Sequence, residues 1–309
     1  MTQSDTGTVL VTGGRGFIGR AVGKLLQRQG YRVVSLDRAG PSDVPEGPQE
    51  VVADICDREE LERLFRNERV RGVVHLAATL PTAAQREPEL ATRVKVQGSV
   101  NLLELAREFR VRRFVFGSSL SIYGTWPADH AVTEADRAAP EDVYGAAKLC
   151  IERCGAAYRE LYGLEFVSLR IGRVVAPGAQ SRTSPWRSQI FESLGTLDPV
   201  VIDVPYAESE RVLLVHVEDV AEMLVRLLHA ERTQHSTYNA CCESVVVGAL
   251  AHMIEGLNSN VQVNLGGAEV LGNPRALDCS RFRIEFGFET VPIFDRRKKT
   301  ADKVAGRVM

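Results

Sequence analysis

The stretch VYGAAK, at residues 143–148, places a tyrosine four residues before a lysine. In a helix, side chains four residues apart leave the same face, so Tyr144 and Lys148 would lie one turn apart. Each titrates at about pH 10 when unperturbed, and a nearby ammonium lowers the pKa of a phenol because it favours the phenolate. The spacing therefore predicts a tyrosine that exchanges protons near neutral pH. The alternative is a solvated lysine beside a half-buried tyrosine.

A second candidate for chemistry is the glycine-rich segment TGGRGFIG at residues 12–19, which lies between a short apolar run and a helical pattern. Its glycines have the spacing G-x-x-G-x-x-G. Glycine permits a tight turn and a close approach of the backbone to a pyrophosphate, and the N-terminus of the following helix favours phosphate charge. The segment therefore predicts a dinucleotide site that includes Gly13, Gly16, Phe17, Ile18 and Gly19.

The choice of dinucleotide depends on the residue that ends the second strand-like run, YRVVSLD. That residue is Asp37, 18 residues after Gly19 (37 − 19). An acid at this place accepts hydrogen bonds from the adenosine ribose hydroxyls and repels the extra phosphate of NADP. Arg38 follows directly and partly offsets the repulsion. We therefore expect NAD to be preferred to NADP.

Strand-like and helix-like patterns alternate along the first half of the chain. The strand-like runs cover residues 8–13, 31–37, 50–55, 71–78, 112–119 and 164–171, and the helical patterns cover 17–30, 57–68, 88–109 and 143–162. This alternation, with nearly continuous apolar strands, predicts an α/β fold with a doubly wound parallel sheet of the Rossmann type.

The second half of the chain has a less regular pattern. Residues 172–206 contain four prolines and are expected to form loops, whereas 211–217 and 218–230 return to a strand and a helix. The basic run DRRKK at 295–299 is expected to be a solvated end. We expect residues 1–171 with 207–240 to form the dinucleotide-binding domain, and 172–206 with 241–309 to form a smaller substrate-binding region.

Bulk composition excludes several classes of protein. The net charge of −2 does not favour nucleic acid or an anionic membrane as a partner. The polar start of the chain lacks the pattern of a signal peptide, and no apolar run approaches the length of a membrane span. The six cysteines form no C-x-x-C pair and the histidines form no cluster. We therefore expect a cytoplasmic protein with reduced thiols and no metal site.

The motifs taken together resemble the extended short-chain dehydrogenase/reductase family, in its NAD-dependent epimerase/dehydratase group. The resemblance covers most of the chain. The segments that carry it are TGGRGFIG, Asp37, ADI at 53–55, HLAA at 75–78, GSSLSIYG at 117–124, VYGAAK, VHVEDVA at 215–221 and DCSRFRIEFGF at 278–288.

The resemblance implies a role for each matching residue. Ser119 would be the catalytic hydroxyl that holds the substrate oxygen, Tyr144 the acid/base, and Lys148 the lysine that also holds the nicotinamide ribose. Tyr144 would remove a proton as hydride leaves for NAD. Lowering the phenol pKa from about 10 to about 7 requires roughly 4 kcal/mol, which Lys148 and the positive nicotinamide would supply. The further cofactor contacts implied are Asp54, Ile55, Leu76, Ala77 and Ala78.

Departures from the family pattern limit the assignment of a reaction. Leu120 and Ser121 stand where sugar 4,6-dehydratases carry an Asp-Glu pair, so dehydration is not expected. Lys95 stands where many members have an asparagine. Arg173 stands where nucleotide-sugar members have an asparagine near the diphosphate, and it is either an anion ligand or a salt-bridged structural residue. The candidate substrate residues are Ser121, Arg173 and Arg211.

Three functions fit these residues. The first is a nucleotide-sugar 4-epimerase or ketoreductase. The second is an NAD-dependent dehydrogenase of a small hydroxy or amino acid, with Arg173 or the segment 178–188 holding the carboxylate. The third is a binding protein that senses nicotinamide without turnover. In the first two cases the substrate is a small, anionic molecule.

A homodimer is expected from two helical patterns with apolar residues on more than one face. A helix that is apolar on two faces needs two neighbours, and the sheet provides only one. The residues concerned are Leu90, Val94, Leu102, Leu105, Phe109, Val96, Val100 and Leu103 in 88–109, and Leu149, Ile151 and Leu161 in the helix from Tyr144.

Overall fold

The computed structural model describes residues 7–38, 47–77, 92–179 and 184–304, together with Glu87 and Glu89; the side chains of residues 299–304 are excepted. Its largest feature is a parallel sheet of seven strands in the order β11-β7-β5-β4-β1-β2-β3. The strands are β1 Thr8–Thr12, β2 Arg32–Asp37, β3 Gln49–Val52, β4 Val70–His75, β5 Arg113–Ser119, β7 Phe166–Ile171 and β11 Thr237–Asn239.

Helices cover both faces of this sheet. Alternate strand residues point to opposite faces, so Val9 and Val11 of β1 join one apolar core and Leu10 joins the other. The first core is closed by helices α1 Phe17–Arg28, α6 Val217–His229 and α8 Ser280–Phe286. The second is closed by α2 Arg58–Glu68, α3 Gly98–Glu108 and α4 Val143–Tyr162. The predicted doubly wound α/β fold is confirmed.

Smaller sheets form the rest of the described structure. Strand β10 Arg211–His216 lies between β8 Arg173–Val175 and β12 Glu243–Val246, and β9 Val200–Tyr206 pairs with β13 Val261–Ala268. A third core, which contains Trp186 and Phe191, joins these strands to helices α5 Trp186–Glu192 and α7 Val247–Leu257. The short pair β6 Ala131–Val132 and β14 Ala276–Leu277 is also parallel.

The prediction that residues 172–206 form loops is wrong, because this segment contains β8, α5 and β9. The prolines were misleading because they occupy positions that regular elements tolerate. Pro185 is the N-cap residue of α5. Pro205 lies within β9, whose one pairing among the described strands is with β13, and the register of that pair shifts beside it.

The prediction of a solvated basic end is also wrong for the described part of that run. Residues Ile293–Val304 form helix α9. Arg296 forms ion pairs with Glu218 and Asp219 at the start of α6, and the fully buried Arg297 donates its Nε–H to the Ile190 carbonyl at 2.8 Å. The basic residues therefore fasten α9 to α5 and α6.

Two further expectations concern boundaries. The helix predicted over 88–109 is a π-helical turn, Arg93–Gln97, that continues into α3, and its predicted start at Pro88 lies outside the described residues. The two-region division of the chain stays a prediction. It assigns β10 to the dinucleotide-binding domain, whereas the strands hydrogen-bonded to β10 are β8 and β12, which it assigns to the substrate-binding region. Among the described residues, no helix is both long and apolar enough to cross a membrane.

Candidate functional site

The glycine-rich turn joins β1 to α1 at the carboxyl edge of the seven-stranded sheet. Gly13 has φ +66°, and a Cβ there would lie 2.7 Å from the Ala77 nitrogen. A Cβ on Gly19 would lie 2.2 Å from the Gly13 carbonyl oxygen, so α1 packs directly against the turn. Helix α1 has no side-chain cap at its N-terminus. Its first N–H groups are therefore available to a phosphate.

Asp37 lies beside this turn at the end of β2. Its Oδ2 accepts a hydrogen bond from the Arg15 backbone nitrogen at 3.3 Å. Arg38 is exposed and lies 4.0 Å from an Asp54 carboxylate oxygen, so its charge is partly balanced by that residue. This arrangement fits a ribose site with an acid at its base and supports the expected preference for NAD.

The other predicted cofactor residues lie at the ends of neighbouring strands. Leu76 and Ala77 follow β4, and Ala77 is in contact range of Gly13. Ile55 is buried and packs close to Gly98 of α3, where a Cβ would lie 2.5 Å from its Cγ1. Phe17 and Ile18 begin α1 and are half-buried against the first core. Ala78 lies outside the described residues.

The predicted acid/base group assembles where β5 ends and α4 begins. Asp142 is the N-cap residue of α4 and accepts a hydrogen bond from the Gly145 nitrogen at 2.6 Å, which places Tyr144 in the first turn. Ser119, the last residue of β5, lies close enough to Tyr144 to lower the pKa of its phenol. The Ser119 Oγ also lies 2.8 Å from the Ser121 Oγ. The structure thus brings these three hydroxyl groups together.

Lys148 lies one helical turn after Tyr144 and is buried. Its ammonium donates a hydrogen bond to the Gly117 carbonyl and lies 4.5 Å from the centroid of the Phe116 ring. It is 5.8 Å from the centroid of the Tyr144 ring. Burial, and then the charge of Lys95, lower the pKa of Lys148 from 10.5 to about 7.

The protein's own groups do not lower the pKa of Tyr144 as the sequence predicted. Burial raises it to about 12, and this outweighs the opposing effects of the Ser119 hydrogen bond and the Arg187 charge. The prediction assigned the lowering to Lys148 together with the positive nicotinamide, and the pKa of Lys148 is itself depressed by burial. Forming a phenolate at neutral pH therefore requires positive charge in addition to that of Lys148.

A buried hydrogen-bonded chain, which sequence reasoning missed, connects the end of β1 to the π-helical turn. The Ser99 hydroxyl donates to the Lys95 carbonyl, so His75 Nε2, 2.8 Å away, donates to Ser99. Nδ1 of His75 then accepts from the Thr12 hydroxyl at 2.6 Å. Burial, and then Lys148, lower the pKa of His75 to about 3, which keeps the ring neutral.

Two arginines approach the acid/base from the side of the smaller sheets. The charge of Arg187, at the start of α5, acts on Tyr144, and the charge of Arg173, at the start of β8, acts on Arg187. Arg173 donates to the Tyr206 hydroxyl at 3.4 Å and forms no ion pair with a carboxylate in the described part of the chain. Arg187 was predicted only as a member of the segment 178–188.

Arg211, the remaining predicted substrate residue, has a different environment. It is exposed at the first position of β10, and no contact within the described ranges joins it to Tyr144 or Arg173. The described residues also contain no group of three or more His, Cys, Asp or Glu side chains placed to hold a metal ion.

The arrangement has the components of a proton-transfer site beside a dinucleotide cradle. A serine and a tyrosine hydroxyl lie together, a buried lysine lies below them, and two arginines supply positive charge on the open side. The site lies beyond the carboxyl ends of parallel strands, where open α/β sheets bind ligands.

Comparisons with known proteins agree with this geometry. Residues 9–241 match the sequence model described as NAD dependent epimerase/dehydratase family. A UDP-glucose 4-epimerase of Halalkalibacterium halodurans is 31% identical over 209 residues, which are 67% of this chain and 61% of that protein. A mitochondrial L-threonine 3-dehydrogenase of Bos taurus is 24% identical over 264 residues, 82% of this chain and 69% of that protein.

Solved structures with the same fold include both kinds of enzyme. The UDP-glucose 4-epimerase of Thermus thermophilus, in complex with NAD, superposes with a TM-score of 0.82 at 28% identity and covers 97% of this chain and 100% of its own. An L-threonine dehydrogenase from Clostridium difficile has a TM-score of 0.86 at 20% identity, covering 97% and 98%. At 20% identity the second likeness shows the fold alone.

Proposed function

The chain belongs to the NAD-dependent epimerase/dehydratase family, so its cofactor is NAD, and from this premise we propose that it oxidises and reduces a secondary alcohol carbon of a nucleoside diphosphate sugar, as a 4-epimerase or ketoreductase. The observation that carries the proposal is the contact between the Ser119 and Tyr144 hydroxyls with Lys148 buried one turn below. A protein that only bound the dinucleotide would need the glycine turn but not this acid/base group.

In the proposed mechanism the side chains have separate tasks. NAD supplies the hydride acceptor when it is bound. The Ser119 hydroxyl holds the substrate oxygen, and the Tyr144 oxygen takes the proton from the substrate hydroxyl, so that no free alkoxide forms. Lys148 stabilises the Tyr144 phenolate that accepts this proton. Ser121, hydrogen-bonded to Ser119, orients that hydroxyl. With Leu120 and Ser121 in place of an acid pair, the site lacks the groups for dehydration.

The proposed substrate is anionic. The charge of Arg187 acts on Tyr144, and the charge of Arg173 acts on Arg187. The Nε of Arg187 is buried without a hydrogen-bond partner among the described residues. An arginine pair of this kind matches the oxygens of a diphosphate or a carboxylate. In this proposal the pair binds the diphosphate.

A second candidate is a dehydrogenase of a small hydroxy or amino acid. The observation that favours it is that the charge of Arg187 reaches Tyr144 itself. An anion on Arg187 would then be close to the reacting carbon, as in a short substrate with a carboxylate near its hydroxyl group. The similarity to L-threonine 3-dehydrogenases points in the same direction.

One experiment separates these candidates. The purified protein, with and without added NAD, is screened by thermal shift against UDP-glucose, UDP-glucuronate and L-threonine, and turnover is then followed with each compound that stabilises it. An epimerase interconverts two sugars without net NADH, whereas a dehydrogenase accumulates NADH. Binding of NAD without turnover of any anionic hydroxyl compound would contradict both candidates and favour the binding-protein alternative.

We also propose a homodimer that pairs α3 and α4 with their counterparts. Leu161 and Tyr162, at the end of α4, are 70% and 57% exposed, and Val96 and Val100 are half-buried. Leu103, predicted on the same helix face as Val96 and Val100, and Ile151, predicted to join the interface from α4, are buried within the chain's own core. A molar mass of one chain by light scattering at micromolar concentration would refute the dimer.

A further inference from the structure

Lys95 contacts the ring of the acid/base tyrosine. It lies in the π-helical turn Arg93–Gln97, and its Nζ is 4.3 Å from the centroid of the Tyr144 ring. Lys148 is farther from the same centroid, at 5.8 Å. A single π-helical turn within a helix is uncommon and is frequent at functional sites. Of the two ammonium groups, that of Lys95 is therefore the closer to the face of the phenol ring.

The ammonium of Lys95 is buried without a hydrogen-bond partner. The residue is 1% exposed, and its Nζ has no partner among the described residues. Burying an unpaired charge is unfavourable, and its persistence at one place in a fold points to a functional reason. The ring of Tyr144 is the group on which this charge lies, as a cation over an aromatic face.

The backbone of Lys95 is held in place by the buried chain that starts at the cofactor turn. Thr12, His75 and Ser99 are hydrogen-bonded in sequence, and Ser99 donates to the Lys95 carbonyl. The donor of the last bond, Ser99, lies two residues after the π-helical turn, which interrupts the regular helical pattern. The position of the ammonium over the ring is thus built into the fold.

We propose that Lys95 is a positioning residue for the acid/base, whose ammonium acts with that of Lys148 to set the pH at which the Tyr144–Lys148 pair gives up a proton. The proposal rests on the proposed role of Tyr144 and goes beyond it, because it gives a role in the acid/base group to a residue outside Ser119, Tyr144 and Lys148. Lys95 acts through Tyr144 and Lys148 and does not touch the substrate.

The charged groups around Lys95 support this role. From α4 it faces Tyr144, Lys148 and Asp142. Burial lowers the pKa of Lys95 to about 8, although the Asp142 carboxylate acts in the opposite direction. Lys95 is in turn a cause of the lowered pKa of Lys148. From β4, His75 is neutral, and from α5 the charge of Arg187 acts on Tyr144. Removing the Lys95 charge should therefore raise the pH at which the pair releases its proton.

The test measures the protons released when NAD binds, by calorimetry in buffers of different ionisation enthalpy between about pH 6 and pH 10. Lys95→Met should move the midpoint of release at least about one pH unit upward relative to the unaltered chain. Lys95→Arg keeps a permanent charge and should leave the midpoint at or below its original value. Lys298→Met, which removes a charge from an exposed site on α9, is the matched control and should change nothing.

Two results would overturn the proposal. The first is a midpoint in Lys95→Met within about 0.3 pH units of the unaltered chain. The second is an equal shift in Lys95→Met and Lys95→Arg, since packing rather than charge would then be the cause. The measurement uses no substrate, so an error in the proposed reaction would leave its outcome unchanged.

Discussion

Two buried sets of polar side chains share helix α4 and differ in how their charges are matched. In one, Arg170 forms two-point contacts with Glu152, its Nη1 donates to the Tyr123 hydroxyl at 2.7 Å, and that hydroxyl donates to Asn239 at 2.7 Å. In the other, Lys95 and Lys148 lie near Tyr144, and no buried carboxylate is paired with either lysine in the described structure.

Under the proposed function, the difference separates a set that serves stability from a set that serves chemistry. The Arg170 set satisfies its charges locally, so burial of Arg170 is offset and its pKa is raised despite desolvation. The lysine set has no buried counter-charge paired with it among the described residues, so burial, joined at Lys148 by the charge of Lys95, lowers the pKa values of both lysines towards neutrality. Groups that titrate near neutral pH can exchange protons during turnover, whereas the paired arginine cannot.

The largest expected effect is on the unbalanced set. Tyr144→Phe should lower kcat by about a thousandfold or more, because the proton carrier is lost while the ring and the fold remain. NAD should still bind, which fluorescence titration with NADH can check. The control is Tyr158→Phe, which removes a hydroxyl from the same helix where it is bonded to Glu104 at 2.6 Å. Full activity of Tyr144→Phe would contradict the acid/base assignment.

Disrupting the Arg170 set should lower the stability of the fold rather than the catalytic rate. Glu152→Gln leaves the buried Arg170 without its counter-charge and should lower the free energy of unfolding by about 3–5 kcal/mol. Chemical denaturation measures this. An unchanged unfolding free energy would show that the pair contributes little and that the contrast between the two sets is not one of stability.

Arg173 extends the comparison to the open side of the site. If Arg173 holds the anion, Arg173→Ala should raise KM, leave NAD affinity nearly unchanged and cost about 2–4 kcal/mol in kcat/KM. If it is structural, the melting temperature should fall and all ligands should bind more weakly. Unaltered kinetics on an identified anionic substrate would refute both roles.

Lys95 should show the opposite stability effect to Glu152. Its pKa is about 8 in the folded chain against 10.5 when unperturbed, so the folded state binds fewer protons between these values and stability rises with pH across them. Lys95→Met removes this penalty, whose upper limit is roughly 3 kcal/mol, and should stabilise the chain by about 1–2 kcal/mol at pH 7. The gain should vanish above about pH 10.5, as unfolding curves at several pH values would show.

The smallest expected effect concerns the cofactor. NAD should bind at least about tenfold more tightly than NADP because Asp37 lies at the ribose site, and Asp37→Ala should narrow the difference. Binding isotherms for both dinucleotides test this. Tighter binding of NADP by the unaltered chain would mean that Arg38 outweighs Asp37.

Much of the fold could be predicted because the helices have an apolar face and the central strands are nearly continuous apolar runs. Helix α4 was predicted with its observed bounds, since Asp142 caps its start and Gly163, with φ +68°, ends it. Residues 172–206 could not be predicted in this way. Their elements are short and are stabilised by partners that are distant in sequence. For example, Arg297 donates a hydrogen bond to the carbonyl of Ile190 in α5, 107 positions earlier in the chain.

The site was predictable where the chemistry depends on neighbours in sequence. Tyr144, Lys148 and the glycine turn have spacings that carry meaning by themselves. Arg187 was hidden in a segment without a periodic pattern. Lys95 was noted only as a departure from a pattern, because its contact with Tyr144 crosses between two helices and its burial is a property of the assembled core. A lysine among apolar helical residues, with Ser99 four positions later, is the signal that could have found it.

The crossings between the main sheet and the smaller sheets have a mechanical consequence. Gly172 alone separates β7 from β8, residues 240–242 separate β11 from β12, and α6 begins directly after β10. A Cβ on Gly172 would lie 2.8 Å from the Cys242 sulfur and 3.3 Å from the Leu213 carbonyl oxygen. The connections at Gly172 and at residues 240–242 therefore pass directly beside each other. Because these connections are at most three residues long, they limit how far the smaller sheets can move relative to the main sheet.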